Sequence, residues 1–149
     1  MKLVLVPMLV YSLAGCTPDS SVVEADVQQF VRTYISSNDI AASLGMLDQS
    51  DAVTSVTGEG KVLRGRDAIR NAASKQITLM PQLKITVGGI EVGRAGAGYA
   101  FAIAPFSIAA SGAPGAPMAT GAATLVLAKR DSGWKVVHEH YSYVRAAGR

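Results

Sequence analysis

Val23, Val27, Phe30, Val31, Tyr34 and Ile35 recur at intervals of three and four residues, which lines them up on one stripe of a helix. Ser21 starts that helix, with Glu24 three positions on as its capping-box partner. Asn38-Asp39 interrupts the pattern, and Asp39 is placed to cap a second, shorter helix that buries Ile40, Leu44 and Leu47. From Asp51 the period falls to two. Val53, Ser55 and Thr57 alternate with Thr54 and Val56 in a short strand ending at Gly58, and Gly60 to Gly65 reads as a turn-rich connection. The stretch GRDAIRNAASKQITLM, residues 65–80, predicts a third helix. It has Asp67 near its start, Ile69, Ala73, Ile77 and Met80 on one face, and Pro81 as its stop.

The remainder alternates as sheet. Leu83, Ile85 and Val87 lead to Gly88-Gly89, a bulge or sharp bend, beyond which Ile90 and Val92 resume. After a turn at 93–98, Tyr99 to Ala110 is a long strand. Tyr99, Phe101 and Ile103 lie on one face and Ala100, Ala102 and Ala104 on the other. One face meets the core; the alanine-rich one needs cover. Pro105 cannot donate to a ladder and predicts a bulge or an edge. Residues 111–117 form a loop, Thr124 to Lys129 a strand, Asp131-Ser132-Gly133 a tight turn, and Trp134 to Val144 the last strand. The expected fold class is therefore α+β: three N-terminal helices, one short strand between the second and third, then a four-stranded antiparallel meander. Bent at its glycines and proline, such a sheet wraps around the helices as a cone open at one end.

Composition fits one globular domain, with 49% apolar and 17% charged residues among 149. The net charge is +3, and its basic residues are scattered without an aromatic-interleaved stripe, so no nucleic-acid partner is expected. The amino-terminal stretch is more informative than the composition. Lys2, an apolar run from Leu3 to Ala14 and then Gly15-Cys16 describe a secretory signal peptide, too short to span a bilayer as a mature helix. Leu13-Ala14-Gly15-Cys16 resembles the lipobox of bacterial lipoproteins, and Cys16 is the one cysteine of the chain. That resemblance implies cleavage before Cys16, diacylglycerol on its thiol and acylation of the new amino terminus. It makes 1–15 a signal peptide, 16–21 a lipidated tether, 22–145 the domain and 146–149 a tail. The expected location is the bacterial cell envelope, lipid-anchored and facing the periplasm. Thr17, in place of the aspartate that retains lipoproteins at the inner membrane, points to the outer membrane. With the Cys16 thiol acylated, no cysteine remains for a disulfide, a thiolate nucleophile or a metal site.

Three phrases carry a further resemblance: DAV at 51–53, GRDAIR at 65–70 and RDSGWKVVHEHYS at 130–142. In this order and spacing they resemble the SnoaL-like, nuclear-transport-factor-2-like superfamily, over residues 22–145. The resemblance implies a cystatin-like cone with a ligand cavity lined by the last strand, and a homodimer paired through the outer face of the sheet. It does not fix an activity, because the superfamily includes isomerases, cyclases, dehydratases, epoxide hydrolases and non-catalytic binding or assembly domains. It implies no cofactor.

Candidate chemistry concentrates in the last strand. Strict alternation puts Trp134, Val136, His138, His140 and Ser142 on one face, and Lys135, Val137, Glu139, Tyr141 and Tyr143 on the other. The first set grades from apolar to polar like a cavity wall, so both imidazoles are expected to point inward, His140 nearer the mouth. Three readings stay open. His140 or His138 is a general acid or base; the pair chelates a metal, with Glu59 the sole acidic candidate for a third ligand; or both are hydrogen-bonded wall residues. No metal site is assigned. Tyr34 either turns its hydroxyl into the cavity, as a helix tyrosine that holds an oxyanion does in some isomerases of the superfamily, or is a core aromatic. Those isomerases carry a catalytic carboxylate just after the phrase matching DAV. Here the stretch is Thr54-Ser55-Val56-Thr57, so their mechanism does not carry over. Asp51 reads as a turn residue and Asp67 as a helix cap. The expected function is binding of a small, partly apolar ligand through Tyr34, Trp134, His138, His140 and Ser142. Proton transfer by a histidine and a structural envelope role are the alternatives.

Overall fold

The computed structural model describes residues 20–79, 83–111 and 117–146. The signal peptide, Cys16 and most of the tether and tail lie outside them. Helix α1 (Ser20–Ser36) presents Val27, Val31, Tyr34 and Ile35 as its buried stripe. Two polar side chains fix its placement. Gln28 Nε2 donates to the Ile90 carbonyl at 3.0 Å, and the Arg32 guanidinium donates to the carbonyls of Val87 and Gly88 at 2.8 and 3.2 Å. Helix α2 (Ile40–Met46) is capped by Asp39, whose carboxylate accepts from the Ala42 N–H at 3.1 Å. Leu47 already lies beyond it and forms an isolated parallel bridge to Val136, with its side chain fully buried. Helix α3 (Arg66–Leu79) buries Ile69, and its first-turn Asp67 pairs with Arg70 at 2.9 Å on the surface. The side chains of Ile77 and Met80 and the stop at Pro81 lie outside the described residues.

The strands are β1 (Thr54–Val56), β2 (Val62–Arg64), β3 (Leu83–Val87), β4 (Glu91–Arg94), β5 (Tyr99–Ala110), β6 (Ala119–Arg130) and β7 (Gly133–Arg145). They form one sheet in the order β2-β1-β7-β6-β5-β3, with β4 also on β5. Three expectations change. The 60–65 connection contains β2, which closes a hairpin onto β1. The sheet is mixed, because β1 runs parallel to β7. Strand β6 begins at Ala119, five residues before the expected Thr124.

The bend expected at Gly88-Gly89 is where β3 ends and β4 begins, both on β5. Pro105 sits opposite that break. It stays in register with Ala122 of β6, with neither bulge nor edge, and its carbonyl accepts the Gly88 N–H at 2.8 Å. A residue with no N–H fits there because β3 pairs with Phe106 onward and β4 only up to Ile103. The bulge occurs elsewhere. Val126 pairs with His138 but Leu127 pairs with Val136, so Val137 is the extra residue of β7.

The helices cover one face of the sheet. Ala100, Ala102, Ala104 and Phe106 of β5 and Ala123, Leu125 and Leu127 of β6 are buried against them. The alanine face of β5 is therefore the core face, the side on which α1 packs over β3, β4 and β5. The aromatic face is left outside: Tyr99, Phe101 and Ile103 are 42%, 40% and 37% exposed.

Candidate functional site

The extra residue at Val137 decides which side chains of β7 face the helices. Before it, Val136 is fully buried, as alternation requires. After it the phase is reversed, so Glu139, Tyr141 and Tyr143 turn inward and His138, His140 and Ser142 turn to the outer face. Glu139 is 4% exposed. It lies in a cross-sheet row with Leu63 of β2, Ser55 of β1, Leu125 of β6 and Ala102 of β5, all buried.

A carboxylate in such a row needs partners, and two phenols supply them. The Tyr34 hydroxyl, from late in α1, donates to Glu139 Oε2 at 2.8 Å, and the Tyr141 hydroxyl donates to the same oxygen at 3.0 Å. Phe30 stacks beside Tyr34, and Phe106 meets Tyr141 edge-on, so the rings have fixed orientations. Burial first, and then the adjacent Glu139 charge, hold both hydroxyls well above the ordinary phenol range, so both remain donors. Among the described residues, no cation pairs with Glu139, no hydrogen bond reaches Oε1, and none joins the buried Ser55 hydroxyl to it. The other buried acid, Asp48, contrasts with this. It accepts the Ser50 N–H at 2.9 Å and pairs with Arg130 at 2.7 Å. Those bonds, the backbone one first, hold its carboxyl below the usual range.

Both imidazoles therefore face away from the cone interior, contrary to the expectation from alternation. His138 Nδ1 is hydrogen-bonded to Thr54 Oγ1 at 2.7 Å, and His140 is exposed. Ser142 is exposed on the same outer face. Trp134 precedes the bulge and keeps its expected side, half-buried against the core with the Lys129 ammonium 5.1 Å from its ring centre. Glu59 is engaged elsewhere, accepting from the Tyr143 hydroxyl and pairing with Arg145 at 3.4 Å. Among the described residues no three His, Cys, Asp or Glu side chains converge as a metal site would require. Tyr34 alone of the expected ligand contacts joins the polar centre; Ser55, Glu139 and Tyr141 were missed. The signal for them was the change of phase in the apolar residues of the strand, from Val136 to Tyr141 and Tyr143.

Two clefts lie outside the cone. One, of about 440 Å³, is lined by Gln49, Asp51, Arg64, Arg66 and Arg70 where β2 meets α3. The Arg66 guanidinium there donates to the Leu44 carbonyl at 2.8 Å, while its buried Nε has no partner among the described residues. The other, of about 580 Å³, lies between β2 and α3 beside Val62, Ala68 and Lys75. On the concave side, α1 covers β3 to β5 and α3 covers β1 and β2. The strip of β7 and β6 between the two helices carries Glu139 and Leu125 and is bridged by Tyr34.

The fold is shared with solved structures. A nuclear-transport-factor-2-like protein of unknown function from Pseudomonas putida superposes with a TM-score of 0.70 at 17% identity, over 83% of this chain and 87% of that one. An uncharacterised cystatin-like protein from Caulobacter vibrioides gives 0.66 at 22% identity, over 85% and 89%. Aln2 from a Streptomyces species gives 0.69 at 16% identity, over 84% and 92%. At these identities the likeness is one of fold. No curated protein matches in sequence. The family model described as SnoaL-like domain matches residues 23–146. With its helices, curved sheet and cystatin-like neighbours, the chain belongs to the SnoaL-like family, whose domains include ligand binders and enzymes.

Proposed function

We propose that this domain binds a small, mostly apolar molecule on the concave side of its sheet, against Tyr34, Ser55, Glu139 and Tyr141. The observation that carries the reading is a carboxylate held by one oxygen: Oε2 accepts two phenols, while no hydrogen bond among the described residues reaches Oε1, which is not sealed from solvent. Burying an ionisable group without a cation is costly, and such groups concentrate where a protein meets a ligand. The surrounding wall of Leu125, Ala102, Phe106 and Phe30 suits an apolar body with one polar end. A second reading keeps the same centre and makes Glu139 a general base, oriented by the two phenols that donate to its Oε2. In either case the interior carboxylate, not a histidine, is the working group.

The domain is proposed to act from the cell envelope, lipid-anchored at Cys16 and facing the periplasm, on the strength of the lipobox-like LAGC stretch. It is proposed to pair with a second copy through the outer sheet face, where Tyr99, Phe101 and Ile103 make an exposed apolar patch. The test of the binding reading is a screen of small apolar compounds by NMR, with chemical-shift changes mapped on the domain. Changes clustered on Tyr34, Ser55, Leu125, Glu139 and Tyr141 are expected. A screen whose binders perturb only the outer face or the β2–α3 clefts refutes it.

A further inference from the structure

The charge inside the cone selects among apolar ligands. Glu139 is the acidic side chain of a row whose other members are Leu63, Ser55, Leu125 and Ala102. The ionisable groups that touch it are Tyr34 from α1 and Tyr141 from its own strand, and both are neutral donors. The ion pairs among the described residues are all elsewhere: Arg70 with Asp67, Arg130 with Asp48, and Arg145 with Glu59. The interior therefore holds a carboxyl group with no protein cation beside it among the described residues. Two acceptors that no hydrogen bond among the described residues reaches, Glu139 Oε1 and the Ser55 hydroxyl oxygen, belong to residues at paired positions on adjacent strands, and neither atom is sealed from solvent. The rings of Tyr34 and Tyr141 meet the carboxylate through their hydroxyls, with Phe30 stacked beside Tyr34 and Phe106 edge-on to Tyr141. A carboxylate, a second acceptor on the paired strand and aromatic rings nearby are the recognition elements for an ammonium group.

We infer that the ligand of this site is an amphiphilic amine, whose ammonium group donates to Glu139 Oε1 and Ser55 Oγ while its apolar body lies along Leu125 and the aromatic rings. The inference rests on the concave-side binding reading above and narrows it to a ligand charge.

The test compares three probes of nearly equal size with the purified protein at pH 7.5: cyclohexylmethylamine, cyclohexylmethanol and cyclohexanecarboxylate. Affinities are measured by NMR titration with the perturbed residues mapped. The amine is expected to bind at least about 10-fold more tightly than the alcohol, a difference of about 1.4 kcal/mol, with shifts at Ser55, Leu125, Glu139 and Tyr141. The carboxylate is expected not to bind there. In Glu139→Gln the amine should fall to the level of the alcohol, and in Ser55→Ala it should weaken a few-fold with the spectrum otherwise unchanged. Equal or tighter binding of the alcohol to the wild-type protein overturns the amine inference and leaves the binding reading standing. Absence of any concave-side shift with all three probes overturns both. If Glu139→Gln does not fold, Ser55→Ala and the wild-type comparison decide the question.

Discussion

The Tyr34–Glu139–Tyr141 cluster predicts a large departure from additivity on mutation. Tyr34→Phe removes one donor from a buried carboxylate. Hydrogen bonds to charged groups contribute about 1.5–3 kcal/mol, so a loss of about 2 kcal/mol is expected at this buried position. Tyr141→Phe should cost less, about 1 kcal/mol, because its bond to the carboxylate is longer and only partly buried. Glu139→Leu strands both hydroxyls without an acceptor, a penalty of about 1–3 kcal/mol for the buried one alone. Summed, the single variants lose about 4–6 kcal/mol. The triple variant removes donors, acceptor and charge together and leaves an apolar interior. Replacing a buried polar cluster by apolar side chains of similar shape is often neutral or stabilising, so it should fall within about 1 kcal/mol of the wild-type protein. The coupling is thus several kcal/mol, well beyond ordinary error for residues in contact. Urea unfolding followed by the fluorescence of Trp134, the single tryptophan, measures it, given equal slopes across the set. A triple variant as unstable as the sum of the singles would refute the claim that the three groups act as one coupled unit.

Four further outcomes are expected. Asp48 has a depressed carboxyl pKa in the folded state, so its contribution is present above the unfolded pKa of about 4 and disappears as pH falls through the folded value. The stability gap between wild type and Asp48→Asn should therefore be widest near neutrality and close in acid; a gap independent of pH contradicts this. Gly121→Ala would bring a methyl carbon to 2.1 Å from the Ser142 carbonyl oxygen and 2.8 Å from Tyr143 Cα, so β6 and β7 must separate locally. A loss of about 3 kcal/mol or more by thermal unfolding is expected, and a loss under about 1 kcal/mol would show that the strands are free to shift. Phe101→Lys puts a charge in the exposed outer patch and should convert a dimer to a monomer in light scattering; a wild-type protein that is monomeric at high concentration removes the dimer altogether. Cys16→Ser should abolish incorporation of radiolabelled palmitate in a bacterial host, and an unlabelled wild-type chain would exclude the anchor.

Local pattern determined a good deal. The stripe Val27-Val31-Tyr34-Ile35 specified α1 and its buried face, Asp39 specified the start of α2, and Gly88-Gly89 specified the break between β3 and β4. Each is a short-range rule: helical spacing, a side chain that caps its own helix, a backbone without Cβ. Strand β2 was not legible because three residues, Val62 to Arg64, become a strand only by pairing with β1. The face of β5 was ambiguous because both sides are apolar or small, and only the packing of α1 on one of them gave the alanines to the core. The site depended on one residue. Val137 is β-branched and carries no bulge signal of its own, yet the pairing of β7 with β6 leaves it unmatched and reverses every side chain after it. Sequence alone therefore determined that the last strand holds the polar groups of this domain. The tertiary pairing decided that Glu139, not His138 or His140, would meet Tyr34 inside, because strand register is a property of two chains of backbone and is written in neither one alone.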